Sequence, residues 1–240
     1  MDVPDDRLPA SPEVIVVYSD LHCSFAHLAV HRLHETRTAL GLDEQIWIDH
    51  RAFPLELFNQ RVNSLRGVNS EAAVVGALDP GAGWQLWQAH DWEYPVSVLL
   101  PMEAVQAAKQ QSWAAAEQLD RGLRRAFWRE SRCITMRHVI LTVAAACPSV
   151  DLDRLTADLD LGTARHQLFD QFAQACDGRV NCSPHLFLHD GTNLPNPGVS
   201  RRWINGTFGV GFPIIDQYDP AVYQTLLTHA ANLAGIGMRR

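Results

Sequence analysis

The stretch that decides the fold runs from Glu13 to Leu40, EVIVVYSDLHCSFAHLAVHRLHETRTAL. Val14 to Tyr18 is a short β-branched run and predicts a buried strand. Ser19 and Asp20 break it. A helical pattern follows, with Ala26, Ala29, Val30, Leu33 and Leu40 on one face, and Gly41 closes it as a C-terminal cap would. Cys23 falls at the junction of strand and helix. A sulfur there faces unpaired backbone N–H groups and the positive end of the helix dipole. The expectation is a thiol shifted toward thiolate, with His22 and His27 beside it as tuning or acid–base groups.

Working outward, Gln45 to Ala52 alternates apolar and polar residues and predicts a second strand. Strand, helix, strand suggests a parallel βαβ unit with a right-handed crossover. Residues 59 to 92 read as irregular, with Trp84, Trp87 and Trp92 close together. From Pro101 to Ala175 the text is helix-favouring for four to five segments. That is too much for one crossover and implies an all-helical insertion into an α/β domain. Strand text resumes at His185 to His189, opened by Pro184 and closed by the Asp190-Gly191 turn signal. A polar loop over 192–209 leads to a last strand at Gly211 to Asp216. A final helix over Ala221 to Leu233 has Pro220 at its start. The organisation expected is a flexible 1–12, an α/β domain built from 13–58 and 178–240, and an inserted helical domain over 59–177.

Composition narrows the function classes. The 240 residues are 47% hydrophobic, enough for a sizeable core, and carry a formal net charge of −7, which argues against a nucleic-acid surface. No run approaches the roughly 18 apolar residues of a membrane span. The acidic, Pro-rich start has no apolar signal region, so the expected location is cytoplasmic and the five cysteines are expected to be reduced.

The order β, α with an N-terminal cysteine, β, helical insertion, Pro-initiated strand, strand, helix resembles the DsbA family of thioredoxin-fold oxidoreductases, particularly its FrnE-like branch. YSDLHCSFAHL lies where that family writes strand–D-x-x-C-P-W-C, RAFPLELFNQ resembles its R-x-F-x-L-N segment, and SPHLFL resembles its cis-proline strand. The resemblance implies a thioredoxin-like α/β fold of DsbA type with an inserted all-helical domain. It also implies a cis bond before Pro184, with Ser183 beside Cys23 to pair with an extended thiol substrate, and Ser24 and Phe25 contributing to substrate binding. The departure is chemical. The family's C-P-W-C is here Cys23-Ser24-Phe25-Ala26, so the resolving cysteine is gone and a dithiol cycle within the motif is impossible.

What remains is monothiol chemistry on a small-molecule thiol or disulfide. No tightly bound cofactor is expected, and a low-molecular-weight thiol is the candidate co-substrate. A homodimer stays open. Two rivals stand beside this reading. One is a thiol-cofactor enzyme resembling the kappa-class glutathione transferases and 2-hydroxychromene-2-carboxylate isomerases, with Ser24 as the only hydroxyl in the motif. The other is a binding module that kept the cleft and lost the chemistry. Cys182, two residues before Pro184, is weighed as an alternative resolving thiol. Cys133, Cys147 and Cys176 read as core fillers. Arg201 and Arg202 read as a solvated turn or as a carboxylate-recognition pair. The tryptophans read as insertion core or as one wall of a hydrophobic cleft. Cys23, His27, His31 and His34 share a helical stripe, but Cys23 to His34 spans about 16 Å, too far for one tetrahedral ion. No metal site is expected, and the histidines read as a polar flank.

Overall fold

The computed structural model describes residues 6–206 and 211–237. The first strand, β1 (Val14–Ser19), is buried along its whole length. It leads through Cys23 into α1 (Ser24–Ala39), which ends at Leu40 with Gly41 behind it at φ +68. A side chain there would be strained, so glycine terminates the helix cheaply. The second strand, β2 (Trp47–Ala52), pairs in parallel with β1, Val14 opposite Trp47 and Ser19 opposite Ala52.

The chain then turns helical. A single turn, α2 (Leu55–Phe58), is followed by α3 (Leu65–Val75), α4 (Leu99–Lys109), α5 (Trp113–Trp128), α6 (Arg137–Ala145), α7 (Leu152–Leu161) and α8 (Arg165–Ala175). Helix α3 corrects the expectation of irregular chain over 59–92. Ser64 caps it by accepting from the Gly67 N–H, and Val68, Ala72 and Val75 give it a buried face. Its sequence, LRGVNSEAAVV, hides that face behind a glycine and several polar residues.

Back in the sheet, β3 (His185–Phe187) lies antiparallel to β1, and β4 (Asn193–Pro195) lies antiparallel to β3, giving the order β2-β1-β3-β4. Two further strands, β5 (Val199–Ile204) and β6 (Phe212–Tyr218), form a separate antiparallel ribbon. The expected loop over 192–209 is therefore mostly strand, and the last strand belongs to this ribbon rather than to the main sheet. Residues 207–209 of that stretch lie outside the described residues. The C-terminal helix is α9 (Ala221–Leu233).

Strand alternation divides the core. Ile15 and Val17 face α1 and α9 across a cluster with Leu33, Ile48, Leu186 and Leu227. Val16 and Tyr18 face the other way, toward Phe53, Val180 and Phe187. A larger core lies among α4 to α8 and reaches back to Leu21 and Ala52 of the sheet end. The first residues described are docked rather than loose. Arg7 pairs with Asp177 at 3.2 Å, and the Pro9 carbonyl faces His189 Nδ1 at 3.0 Å. Within the stretch expected to be flexible, residues 7 and 9 thus make contacts with residues 177 and 189; residues 1–5 lie outside the described residues.

Candidate active site around Cys23

Cys23 is the N-cap residue of α1, in extended backbone conformation. Its Sγ donates to the Ser183 carbonyl at 3.0 Å, and the Ser183–Pro184 bond is cis. Ser183 is held in turn by the β1 end, since the Asp20 N–H donates to Ser183 Oγ at 2.8 Å. The sulfur faces a cavity of about 490 Å³ lined by Phe25, Phe53, Phe58, Ser183, Arg201 and Trp203 among others. Phe25 packs with Cys23, and Arg201 stacks over the Phe25 ring at 4.2 Å. Strand alternation along β5 sends the two arginines to different work. Arg201 reaches the cavity, while Arg202 pairs with Asp216 at 2.9 Å.

The thiolate expectation fails for the resting protein. Burial pushes the Cys23 thiol up to about 12, and the negative potential of Glu71 adds to it. Hydrogen bonding from Ser183 and the Ala26 N–H pulls the other way and loses. Cys23 is only 6% exposed, so the cost of desolvating a thiolate exceeds what a helix terminus returns. A thiol that donates to a carbonyl is the state this geometry holds.

The histidine expectations fail too. His22 packs tilted against Phe127, ring centroids 4.3 Å apart, and beside Tyr94, with neither ring nitrogen partnered, and burial drives it down to about 3. His27 stacks on Trp128, faces the Ala82 carbonyl at 3.1 Å through Nε2, and is driven down to about 3 by burial with help from the Arg124 charge. Neither ring lines the Cys23 cavity. Burial keeps both rings neutral, His22 just ahead of α1 and His27 in its first turns on a side away from the Cys23 cavity. The polar-flank reading is corrected for His27 and His34, which are buried, while half-buried His31 keeps a polar partner. His34 is buried against Arg37, and His31 is within 3.4 Å of Asp79.

Ser24 is not on the cavity lining; its buried hydroxyl donates to Glu71 Oε2 at 2.7 Å. Glu71 itself lines the cavity. Burial raises its carboxyl to about 7, with Ser24 and Arg201 opposing. Sequence reading missed this residue, since it sits on α3. A lone glutamate on a helix that pattern analysis did not find carries no local signal. A second buried carboxylate, Asp20, accepts from the His22 and Leu55 N–H groups at 2.6 and 2.8 Å and is also raised to about 7 by burial.

All five cysteines are unpaired. Cys182 lines the same cavity, its Sγ donating to the Pro184 carbonyl at 3.2 Å. Of the three expected core fillers only Cys147 is buried. Cys133 is half-buried, and Cys176 is exposed at the rim of the Cys23 cavity, where α8 ends. The tryptophans Trp84 and Trp87 pack with Trp128, Tyr94 and Phe127, and Trp92 is exposed on His90. The wall role expected of them falls instead to Phe25, Phe53, Phe58 and Trp203.

A cysteine at the start of α1 facing a cis-proline turn, with helices between β2 and β3, matches solved structures over most of the chain. A probable DsbA oxidoreductase from Streptomyces coelicolor superposes with TM-score 0.63 at 13% identity, covering 95% of this chain and 92% of its own. The fold is the thioredoxin fold of DsbA type. DsbM, a cytosolic disulfide reductase from Pseudomonas aeruginosa solved with GSH, aligns with TM-score 0.59 at 16% identity over 76% of this chain and 89% of its own. A 2-hydroxychromene-2-carboxylate isomerase aligns with TM-score 0.56 at 16% identity over 75% and 87%. No protein-family model and no curated protein sequence matches. No helix among the described residues is long and apolar enough to cross a membrane.

Proposed function

We propose that the protein is a thiol-disulfide oxidoreductase of monothiol type, working in the cytoplasm on a low-molecular-weight thiol and its disulfides. The observation that carries this reading is the Cys23 sulfur set against the Ser183 carbonyl at a cis-proline turn, in a cavity it shares with one protonatable carboxylate. In the first step Cys23 attacks one sulfur of a disulfide R–S–S–R′. The new bond is Cys23–S–S–R, the bond broken is R–S–S–R′, and R′–SH leaves. A second small thiol then attacks the mixed disulfide, releasing Cys23 as thiol and carrying R away as a disulfide. No electrons are left over, and no second protein cysteine is needed.

Because the resting sulfur is protonated, the attack needs an acceptor for its proton. Glu71 lies in the same cavity, and a carboxyl near 7 is poised to take a proton at neutral pH. Arg201, above Phe25, supplies a guanidinium for a carboxylate on the small thiol. The Ser183 and Pro184 backbone offers an edge for an extended substrate. The five unpaired cysteines and the likeness to a cytosolic reductase support the cytoplasmic setting. The isomerase-like reading has less to stand on, since Ser24 is fully buried and committed to Glu71.

Incubation with glutathione disulfide followed by intact-mass and peptide mass spectrometry tests this. The expected result is one glutathionyl adduct mapping to Cys23 and absent from Cys23→Ser. Cys23 left unmodified across neutral and mildly alkaline pH would sink the proposal.

A further inference from the structure

A second cleft lies on the far flank of α1, between α5, the 3₁₀ turn Pro80–Ala82 and the end of α6. It has a volume of about 460 Å³. That is within the range of small-molecule sites. Its floor is a row of guanidinium groups. Arg121, Arg125 and Arg129 follow one another at i, i+4 and i+8 along α5, all exposed and all on the cleft. On a helix that spacing stacks side chains on one face, about 6 Å apart. The buried Arg124 completes the cationic lining; His27 and His31 also line the cleft, but burial pushes both rings toward the neutral form, and Glu35 is the one carboxylate among the described lining residues.

The pairing of these charges is uneven. Arg124 is spent on Asp120, at 2.7 Å. Arg125 makes one exposed contact with Glu130 at 3.2 Å, a weak tie in water. Arg121 and Arg129 have no ion pair or hydrogen bond among the described residues. An excess of guanidinium in a concave site, on a chain of net charge −7, runs against the overall balance.

The walls leave room for these groups. Gly83 has φ +77, and a Cβ there would come within 3.0 Å of the Arg129 Cδ, so the bare glycine gives that stem its seat. A Cβ on Gly81 would stand 3.1 Å from Asp79 Oδ1, the neighbour of His31. Opposite, Val30, Ala146 and Pro148 give a small apolar wall. The geometry points to a binding site for a phosphate-bearing small molecule, its phosphoryl oxygens held by the forked guanidiniums along the Arg121, Arg125 and Arg129 row and any organic part laid on the apolar wall. Cys23 is not on this lining, so occupancy is independent of the thiol chemistry.

The test is calorimetric titration of the full chain with inorganic pyrophosphate and, in a second arm, with ADP. Saturable one-to-one binding that weakens as salt is raised is expected in at least one arm. Arg121→Glu/Arg129→Glu should weaken it by about tenfold or more with the melting transition retained. Arg61→Glu/Arg66→Glu makes the same charge change at exposed arginines outside the cleft and should alter it by less than about twofold. Tighter ADP than pyrophosphate assigns the apolar wall to an organic body, and equal affinity assigns the site to the phosphates alone. No saturable binding in either arm, or equal loss in both double variants, would overturn the proposal.

Discussion

Two buried regions flank the first helix and treat charge in opposite ways. On the α5 side, Asp120 is fully buried, which alone would raise its carboxyl, yet Arg124 at 2.7 Å holds it below the usual range. Arg124 also donates to Ser19 Oγ and the Asp20 carbonyl, pinning the end of β1. Close by, Glu117 takes both arms of Arg37 at 2.9 and 2.6 Å and accepts the Ile48 N–H. On the Cys23 side, Glu71 and Asp20 are as deeply buried and both rise to about 7. The difference is the partner, since neither the Glu71 nor the Asp20 carboxylate has a guanidinium in direct contact among the described residues, Arg124 reaching only the Asp20 backbone carbonyl. A buried carboxylate with its cation fixes the packing of two elements. One without it stays protonatable, and protonatable groups are what proton transfer requires.

The largest effect expected is from Cys23→Ser. If the Cys23 cavity is the reactive one, disulfide exchange disappears while urea denaturation moves by less than about 1 kcal/mol, since the change is nearly isosteric. Retained exchange would place the chemistry elsewhere, with Cys182 the first suspect.

On the paired side, Arg124→Ala leaves Asp120 buried and uncompensated. A loss of about 3–5 kcal/mol in urea unfolding is expected. A loss near 1 kcal/mol would mean that the pairing contributes little and the contrast is false.

Glu71→Gln sharpens the comparison through pH. In the folded chain Glu71 titrates near 7, against 4.5 for the unperturbed group. Its contribution to stability is full below about pH 4.5 and is lost as pH rises through about 7, because the unfolded chain releases the proton first. The variant should therefore gain on the wild type by roughly 1–3 kcal/mol between those limits. The same substitution should remove any inflection near pH 7 in the rate of Cys23 alkylation. Identical pH profiles would deny Glu71 its role.

The smallest effect is expected at His22. Its ring is neutral, aromatic-packed and without hydrogen bonds. With a folded value near 3 against 6.5 when exposed, its contribution is present above about pH 6.5 and lost as pH falls toward 3. His22→Phe should gain up to about 1 kcal/mol at neutral pH and more in acid. A loss of disulfide exchange in that variant would restore His22 to the site.

Much of the fold was legible because its signals are local. The β-branched run before Cys23, the apolar positions of α1, Gly41 behind it and the helix-rich middle all announce themselves within a few residues. Helix α3 and strand β5 did not. The first mixes glycine and polar residues into its buried face, and the second, VSRRWI, leaves four of its six residues exposed, with Val199 packed against the Cys23 cluster.

The sequence by itself determined that a single cysteine stands at a strand–helix junction with no second thiol three residues on. It also determined that Pro184 opens a strand, while placing that strand across from Cys23 took the resemblance to the DsbA family. Only the tertiary structure decided that this sulfur is protonated, that His22 and His27 face other rings, and that Glu71 and Arg201 share its cavity. The reason is range. Hydrophobic periodicity is written along the chain, whereas desolvation and charge pairing depend on which distant segments close over a group. For Cys23 those segments are α3 and the β5–β6 ribbon, brought from 48 residues away at Glu71 and 178 at Arg201 in the numbering of the chain.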